Sequence, residues 1–444
     1  MIDLSPGLIT LLMLGGLVVG ILTGFPLAIP IGAVGVMVGY LLYGVQGFEI
    51  IYARILALVT SYTLLAIPLF IFMGSVLEVS GITERMYDAS YVFLGRIKGG
   101  LAIVTVLVGT IIAATVGVIA ASISMLALVA LPAMIKRGYD KSLASGTVVA
   151  AGCLGILIPP SVMLIIYGPM AMISVRKLFM AAFMPGFLLS GLYMLYVGIK
   201  CLVEPEVAPT AVSEKVTISF TKKIANLAKS LLPVGILVLA VLGVIFLGIA
   251  PPTEAAASGA FVATLIVVAY RRFSWRVLAN TALETLRLTS TIFLIGAMSF
   301  AFVGIFLSAG CGKVVETVIL AAPGGSWGAF TIIMLTIFIL GFFLDWLGIL
   351  FIVIPIISPL VPALGFDPLW FAMMICVNFQ TAFMTPPFAP GIFFLQGTAS
   401  PDLGLTTAEI IRGVIPFVIL VLVGLALCVA FPEIILWLPG KMIK

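Results

Sequence analysis

Apolar runs fill most of the chain, and polar residues collect in short intervals between them. Leu11–Leu22 lies inside one run and Val234–Leu247 inside another. Several runs are long enough to cross a hydrocarbon core of ~30 Å, which takes about 20 helical residues. Their length is helical and differs from the ~10-residue alternation of an outer-membrane barrel. The pattern predicts spans near residues 5–24, 26–44 and 55–79, an in-plane stretch near 82–98, a long apolar segment 99–133, and spans 141–171 and 178–200. The second half predicts spans 229–249 and 253–270, an in-plane stretch 273–286, a span 287–309, a long segment 326–362, and spans 367–397 and 413–437. Between the halves, 201–224 is the most polar stretch, with Glu204, Glu206, Glu214, Lys215, Lys222 and Lys223, and reads as a solvent-exposed cytoplasmic linker.

Segments 99–133 and 326–362 are too long for one crossing and short for two. Each weakens at its centre, at Thr115-Val116-Gly117 and between Gly341 and Gly348. Each is therefore predicted to be a re-entrant helical hairpin. Such backbone is tolerated at membrane depth only when buried in protein or lining a cavity.

The halves also align by residue. At a shift of 227, Pro132 meets Pro359, Gly138 meets Gly365, Tyr139 meets Phe366, Asp140 meets Asp367, and Pro159-Pro160 meets Pro386-Pro387. Upstream, Phe70, Phe72 and Gly74 match Phe300, Phe302 and Gly304 at a shift of 230, and downstream Pro185 matches Pro416. Hydrophobicity alone does not align prolines and glycines. Charge adds orientation: the first hairpin base carries Arg96, Lys98, Lys136, Arg137 and Lys141, whereas 321–328 and 361–368 carry no Lys or Arg. The positive-inside rule places the first base in the cytoplasm and the second outside. Threaded this way, the chain has ten spans, with sixteen Lys/Arg inside and six outside: Arg54, Arg176, Lys177, Lys313, Lys441 and Lys444. Residues 1–200 and 225–444 are thus expected to be two inverted-topology repeats of an all-α membrane protein. That is a transporter design with sites near the midplane.

Composition narrows the function classes. The 444 residues are 63% hydrophobic and 9% charged, against about a quarter charged in soluble domains. There is no histidine, which removes the commonest general base, and no phosphate-binding loop of the G-x-x-x-x-G-K-[ST] type. A membrane-embedded enzyme is a poor reading. The five cysteines, Cys153, Cys201, Cys311, Cys376 and Cys428, have no metal or redox spacing. Met1-Ile2-Asp3 gives no positive start for a cleavable signal, so the first run is expected to be a retained span.

The chemistry is expected where each half breaks a span with a proline pair, Gly155-Ile-Leu-Ile-Pro159-Pro160-Ser161 and Thr385-Pro386-Pro387. Proline removes a donor and clashes with the preceding turn, freeing carbonyls. Freed carbonyls suit cations, and half-helix N-termini suit anions. Asp345 lies within the otherwise uncharged 339–357; a charge at bilayer depth costs about 3 kcal/mol or more and marks an ion or substrate path, the other reading being a cap on the hairpin tip. Glu254 fits the first turn of a span. Asn378 and Gln380 suit either substrate contact or helix–helix hydrogen bonds, and Trp346 and Tyr167 read as packing.

Ala133-Met-Ile-Lys-Arg-Gly-Tyr-Asp-Lys141, Gly155–Ser161, Pro252-Thr-Glu-Ala-Ala-Ala257, Phe343-Leu-Asp345, and the terminal Phe431-Pro to Trp437-Leu-Pro439 carry a resemblance over nearly the whole chain. Together they resemble the large, DctM-like membrane subunit of tripartite ATP-independent periplasmic (TRAP) transporters. The resemblance implies an elevator-type ion-transporter fold in a bacterial or archaeal cytoplasmic membrane, importing a small organic anion. It implies two partners, a small four-span membrane subunit and a secreted periplasmic solute-binding protein, with no nucleic acid. It implies no cofactor beyond coupling sodium ions. A first sodium site is implied at the hairpin tip Val116, Gly117 and Val118 with Gly155, Ile158 and Pro159; this tip lacks the family's Ser-Gly-Ser hydroxyls. A second is implied at Asp345, Thr381, Thr385 and Pro386. Candidate substrate contacts are Thr115, Ser122, Ser161, Asn378 and Gln380. The alternative is a stand-alone sodium/anion symporter or antiporter of the same broad fold.

Overall fold

The computed structural model describes residues 4–94, 97–208 and 220–441. Arg96, Glu214, Lys215 and Lys444 lie outside the described residues. Where lipid replaces water, each apolar segment must satisfy its own backbone, and helices do so.

The first half runs α1 (Pro6–Leu22), α2 (Ala28–Tyr43), α3 (Gln46–Val59), a 3-10 turn Tyr62–Leu65, α4 (Ala66–Ser80), α5 (Ile82–Leu94), α6 (Gly100–Val116), α7 (Ile119–Ile135), α8 (Lys141–Cys153), α9 (Val162–Ala171) and α10 (Val175–Val203). The second runs α11 (Phe220–Val238), a π turn Leu239–Gly243, α12 (Val244–Phe246), α13 (Pro252–Ala269), α14 (Trp275–Ser308), α15 (Cys311–Leu320), α16 (Gly325–Leu340), α17 (Trp346–Ile357), α18 (Pro368–Met384), α19 (Pro390–Thr398), α20 (Thr407–Ala430) and α21 (Glu433–Gly440). Six stretches among the described residues are long and apolar enough to cross a membrane on their own. The other four anticipated spans are the shorter α1 and α2 and the interrupted pairs α8/α9 and α18/α19.

Several boundaries differ from the expectation. The span 55–79 is two helices, because the chain turns at Thr60–Ser61 between the amphipathic α3 and the apolar α4. In-plane 273–286 and span 287–309 are instead one continuous helix, α14; no proline interrupts it. The short helix α15 was not anticipated. Helix α10 extends to Val203 and α11 starts at Phe220, so helix enters both ends of 201–224.

Helix order recurs: α13 stands in the second half where α2 stands in the first, α14 where α3 and α4 stand, and α16–α20 where α6–α10 stand. Packing is reciprocal. Helix α2 packs on α14 and α13 on α4, while α7 packs on α19 and α17 on α9. The crossing of α8 on α20 needs glycine on both sides, since a Cβ at Gly146 or Gly413 would strike the other helix's backbone.

The repeated Gly-aromatic-Asp triplet has one job in both halves. Gly138 and Gly365 both take φ +78°, a left-handed turn that glycine adopts without strain. Asp140 Oδ1 then caps α8 by accepting from Leu143 N at 2.8 Å, and Asp367 Oδ1 caps α18 by accepting from Trp370 N at 2.9 Å. The aromatic between them closes the hairpin base: Tyr139 Oη accepts from Leu101 N at the start of α6, and Phe366 lies 5.1 Å, ring to ring, from Trp327 at the start of α16.

Residues assigned to one membrane side meet in space. Arg272 pairs with Glu84 at 3.9 Å, Arg85 lies 4.3 Å over the Tyr270 ring, Arg137 lies 4.4 Å over Tyr91, and Lys141 Nζ donates to Gly404 O at 2.6 Å. At the other end Ser358 Oγ donates to Ala171 O.

Candidate functional site

The first hairpin turns on two residues. Helix α6 ends at Gly117, φ +69°, and Val118 is extended before α7. This tip rests on the break between α8 and α9: Val162 N donates to Gly117 O at 3.4 Å, and a Cβ on Gly117 would lie 2.7 Å from Pro160 O. Pro159 and Pro160 have no N–H, so the carbonyls of Gly155 and Ile156 lose their helical donors. Ser161 Oγ donates to Ile156 O, which leaves Gly155 as the carbonyl freed by the break. Gly155 sits against the tip, where a Cβ would lie 2.5 Å from Ser122 Oγ and 3.5 Å from Val118 O. The structure thus gathers Gly117, Val118 and Gly155; Val116 O faces Gly74 of α4, and the Ile158 side chain turns to Gly186 of α10. The nearby hydroxyls are engaged locally: Thr115 Oγ1 donates to Ile112 O at 2.8 Å and Ser122 Oγ to Val118 O at 3.0 Å.

The second hairpin turns over 341–345. Gly341 packs directly on Ala382 of α18, close to the second break. There Thr381 Oγ1 donates to Asn378 O at 2.6 Å and Thr385 Oγ1 to Thr381 O at 2.7 Å. Pro386 and Pro387 leave Ala382 and Phe383 without helical donors. Asp345 precedes α17, half-buried and with no ion pair among the described residues. Asn378 Nδ2 donates to Met334 O of α16 at 2.8 Å, a helix–helix bond. Gln380 is fully buried, and neither Oε1 nor Nε2 has a partner among the described residues. Glu254 Oε1 accepts from Tyr62 Oη at 2.6 Å.

Both tips open onto one cavity of about 280 Å³. Gly117 and Val118 enter from one hairpin, and Asp345 and Trp346 from the other. Ile156 and Val162 flank the first break and Pro390 follows the second. Helix α14 closes the wall with Leu288, Thr291 and Ile292. Thr381, Thr385 and the five candidate substrate residues are not among its lining. Trp346, read as packing, lines it, and sequence reasoning missed the α14 residues altogether. Their one signal is the hydroxyl run Thr289-Ser290-Thr291 in an apolar helix. No group of three His, Cys, Asp or Glu residues that could hold a metal occurs among the described residues. The ligand atoms near the tips are carbonyls, hydroxyls and one carboxylate, an all-oxygen set that suits a hard cation better than a soft one.

Residues 14–434 match the family model of the tripartite ATP-independent periplasmic transporter, DctM component. The chain belongs to this family. It is 30% identical to the C4-dicarboxylate TRAP transporter large permease protein DctM of Pseudomonas aeruginosa, over 85% of this chain and 86% of that protein. It is also 30% identical to the ectoine/5-hydroxyectoine TRAP transporter large permease protein UehC of Ruegeria pomeroyi, over 95% and 96%. Among solved structures, the YdaH transporter of Alcanivorax borkumensis superposes with a TM-score of 0.59 at 15% identity, covering 89% of this chain and 90% of that one. MtrF of Neisseria gonorrhoeae superposes with 0.62 at 12% identity, covering 89% and 84%. These two show the fold. This DctM-family chain is a multi-pass transporter permease and not an enzyme.

Proposed function

We propose that this large permease imports a small organic anion, carboxylate in type, across the bacterial or archaeal inner membrane by sodium-coupled elevator movement. The observation that carries the reading is the cavity shared by both hairpin tips, with Asp345, which has no ion pair among the described residues, in its wall. A lone carboxylate there repels an anion unless a cation sits between them, so a bound sodium resolves the conflict. The carbonyls freed at Gly155, Ala382 and Phe383 are suited to complete such cation sites.

The reciprocal packing of α2 on α14 and α13 on α4 supports two inverted repeats. On this reading α6–α10 and α16–α20 move together, sliding on a scaffold that rests on α1, α2 and α11–α13, the spans at 5–44 and 229–270. Helices in lipid have little hydrophobic drive to associate, and this scaffold leaves broad apolar faces such as those of Leu11, Val19 and Leu22 uncovered. A small four-span subunit completes it, and a periplasmic solute-binding protein delivers substrate.

The test is reconstitution. Purified chain, small subunit and loaded binding protein in proteoliposomes should take up solute only under an inward sodium gradient. Uptake by the complete system that ignores sodium would sink the coupling. Robust sodium-driven uptake by this polypeptide alone would favour the stand-alone symporter.

A further inference from the structure

A cavity of about 610 Å³ lies between the α9–α10 turn and the α12–α13 loop, apart from the cavity of the hairpin tips. Two helix N-termini face it. The 29-residue α10 begins after Ser174 and the 18-residue α13 after Pro251, and neither N-cap side chain makes a capping bond. The first-turn amides of α10, at Val175, Arg176 and Lys177, therefore keep their donors free, whereas α13 opens with Pro251 and Pro252, which have no N–H, and offers this wall only the positive end of its dipole. The same wall holds Arg176. Its Nη2 donates to Phe246 O at 2.7 Å, its Nε is buried without a partner, and no carboxylate pairs with it among the described residues. Gly248, φ +72°, lies flat beneath the guanidinium, where a Cβ would come within 3.1 Å of Nη1. The nearest acidic group on α13, Glu254, is taken up by Tyr62 and is not part of the wall.

We propose that this cavity is a second binding site, for a small organic carboxylate, formed by Arg176 and the amino ends of α10 and α13. With Nε buried and one Nη2 bond spent on a carbonyl, the guanidinium keeps its Nη1 donors and the second Nη2 donor for a charge-assisted contact with a carboxylate. The α10 N-terminus supplies further backbone donors to the same anion, and the α13 terminus adds its dipole. The site joins the α9–α10 turn of the sliding unit to the α12–α13 loop of the scaffold. Resting on the uptake reading for its side and role, it opens outward and receives the anion before the inner cavity does.

Binding is measured on the full chain in nanodiscs without a sodium gradient, so its outcome is independent of uptake. Met172 lines the cavity and is 92% exposed, while all five cysteines are buried. A bimane on Met172→Cys therefore reports there selectively. Succinate should give a saturable fluorescence change and the neutral diamide succinamide none. Arg176→Gln should raise the succinate midpoint about tenfold or more, the loss of one charge-assisted hydrogen bond. Arg176→Lys, which keeps the charge, should fold as the parent and retain most of the response. An absent succinate response, an equal response to succinamide, or an unchanged midpoint in a folded Arg176→Gln protein would overturn the proposal. A response lost equally in Arg176→Lys and Arg176→Gln would overturn the role of the charge.

Discussion

Gly117→Ala tests whether the first hairpin tip must press on the broken helix. Gly117 sits at φ +69°, where an L-residue costs about 1–2 kcal/mol. The added methyl would also lie 2.7 Å from Pro160 O, and that partner is backbone inside a buried break, with no flexible end to move. Ordinary contact needs the tip and break to separate by several tenths of an ångström. The 3.4 Å bond from Val162 N to Gly117 O would then be lost, at about 1 kcal/mol. Together these come to roughly 2–3 kcal/mol, which lowers the closed-to-open ratio of the tip–break arrangement by about 30- to 150-fold. Initial uptake in the reconstituted system should fall severalfold, up to that factor, with a lower thermal unfolding midpoint in detergent. Gly198→Ala is the control: it lies within α10 with nothing near its Cβ position and should be neutral or slightly stabilising. Uptake and stability of Gly117→Ala indistinguishable from those of Gly198→Ala would refute the reasoning.

Asp345→Asn should insert normally but need much more sodium for half-maximal uptake, since a neutral amide attracts the ion less at reduced dielectric; an unchanged sodium dependence would make Asp345 structural. Lys136 and Ala363 are exposed at the two hairpin bases, so Lys136→Cys should react with an impermeant thiol reagent only from the cytoplasm and Ala363→Cys only from outside. Reaction of both from one side ends the inverted-repeat reading. Asp140→Ala and Asp367→Ala each remove an equivalent N-cap and should each cost about 1 kcal/mol, read as similar drops in unfolding midpoint; a large difference would mean that the two triplets do different work.

The sequence alone carried the membrane class, because no soluble fold could bury so much apolar surface, and it carried the matching helix stops of the two halves, because prolines and glycines mark places where a helix must stop. Gly138, Asp140, Gly365 and Asp367 were legible for that reason: their roles are local, set by φ and by a cap three residues away. Pro159-Pro160 and Pro386-Pro387 located the breaks on the same grounds. The continuity of α14 was not legible, since an in-plane amphipathic stretch and the start of a span share one composition. Nor were the partners of side chains. Thr115, Ser122 and Ser161 looked available for a ligand, yet each donates to a carbonyl within its own hairpin or break. Asn378 turns to α16, a neighbour that no periodicity names. Only the tertiary structure brought Asp345 and Gly117, more than two hundred residues apart, to one cavity, and set Arg176 between two helix ends. Those encounters depend on how helices pack across the two halves, and in lipid that choice rests on close-fitting surfaces such as Gly146 on Gly413, which a linear pattern of apolar residues does not specify.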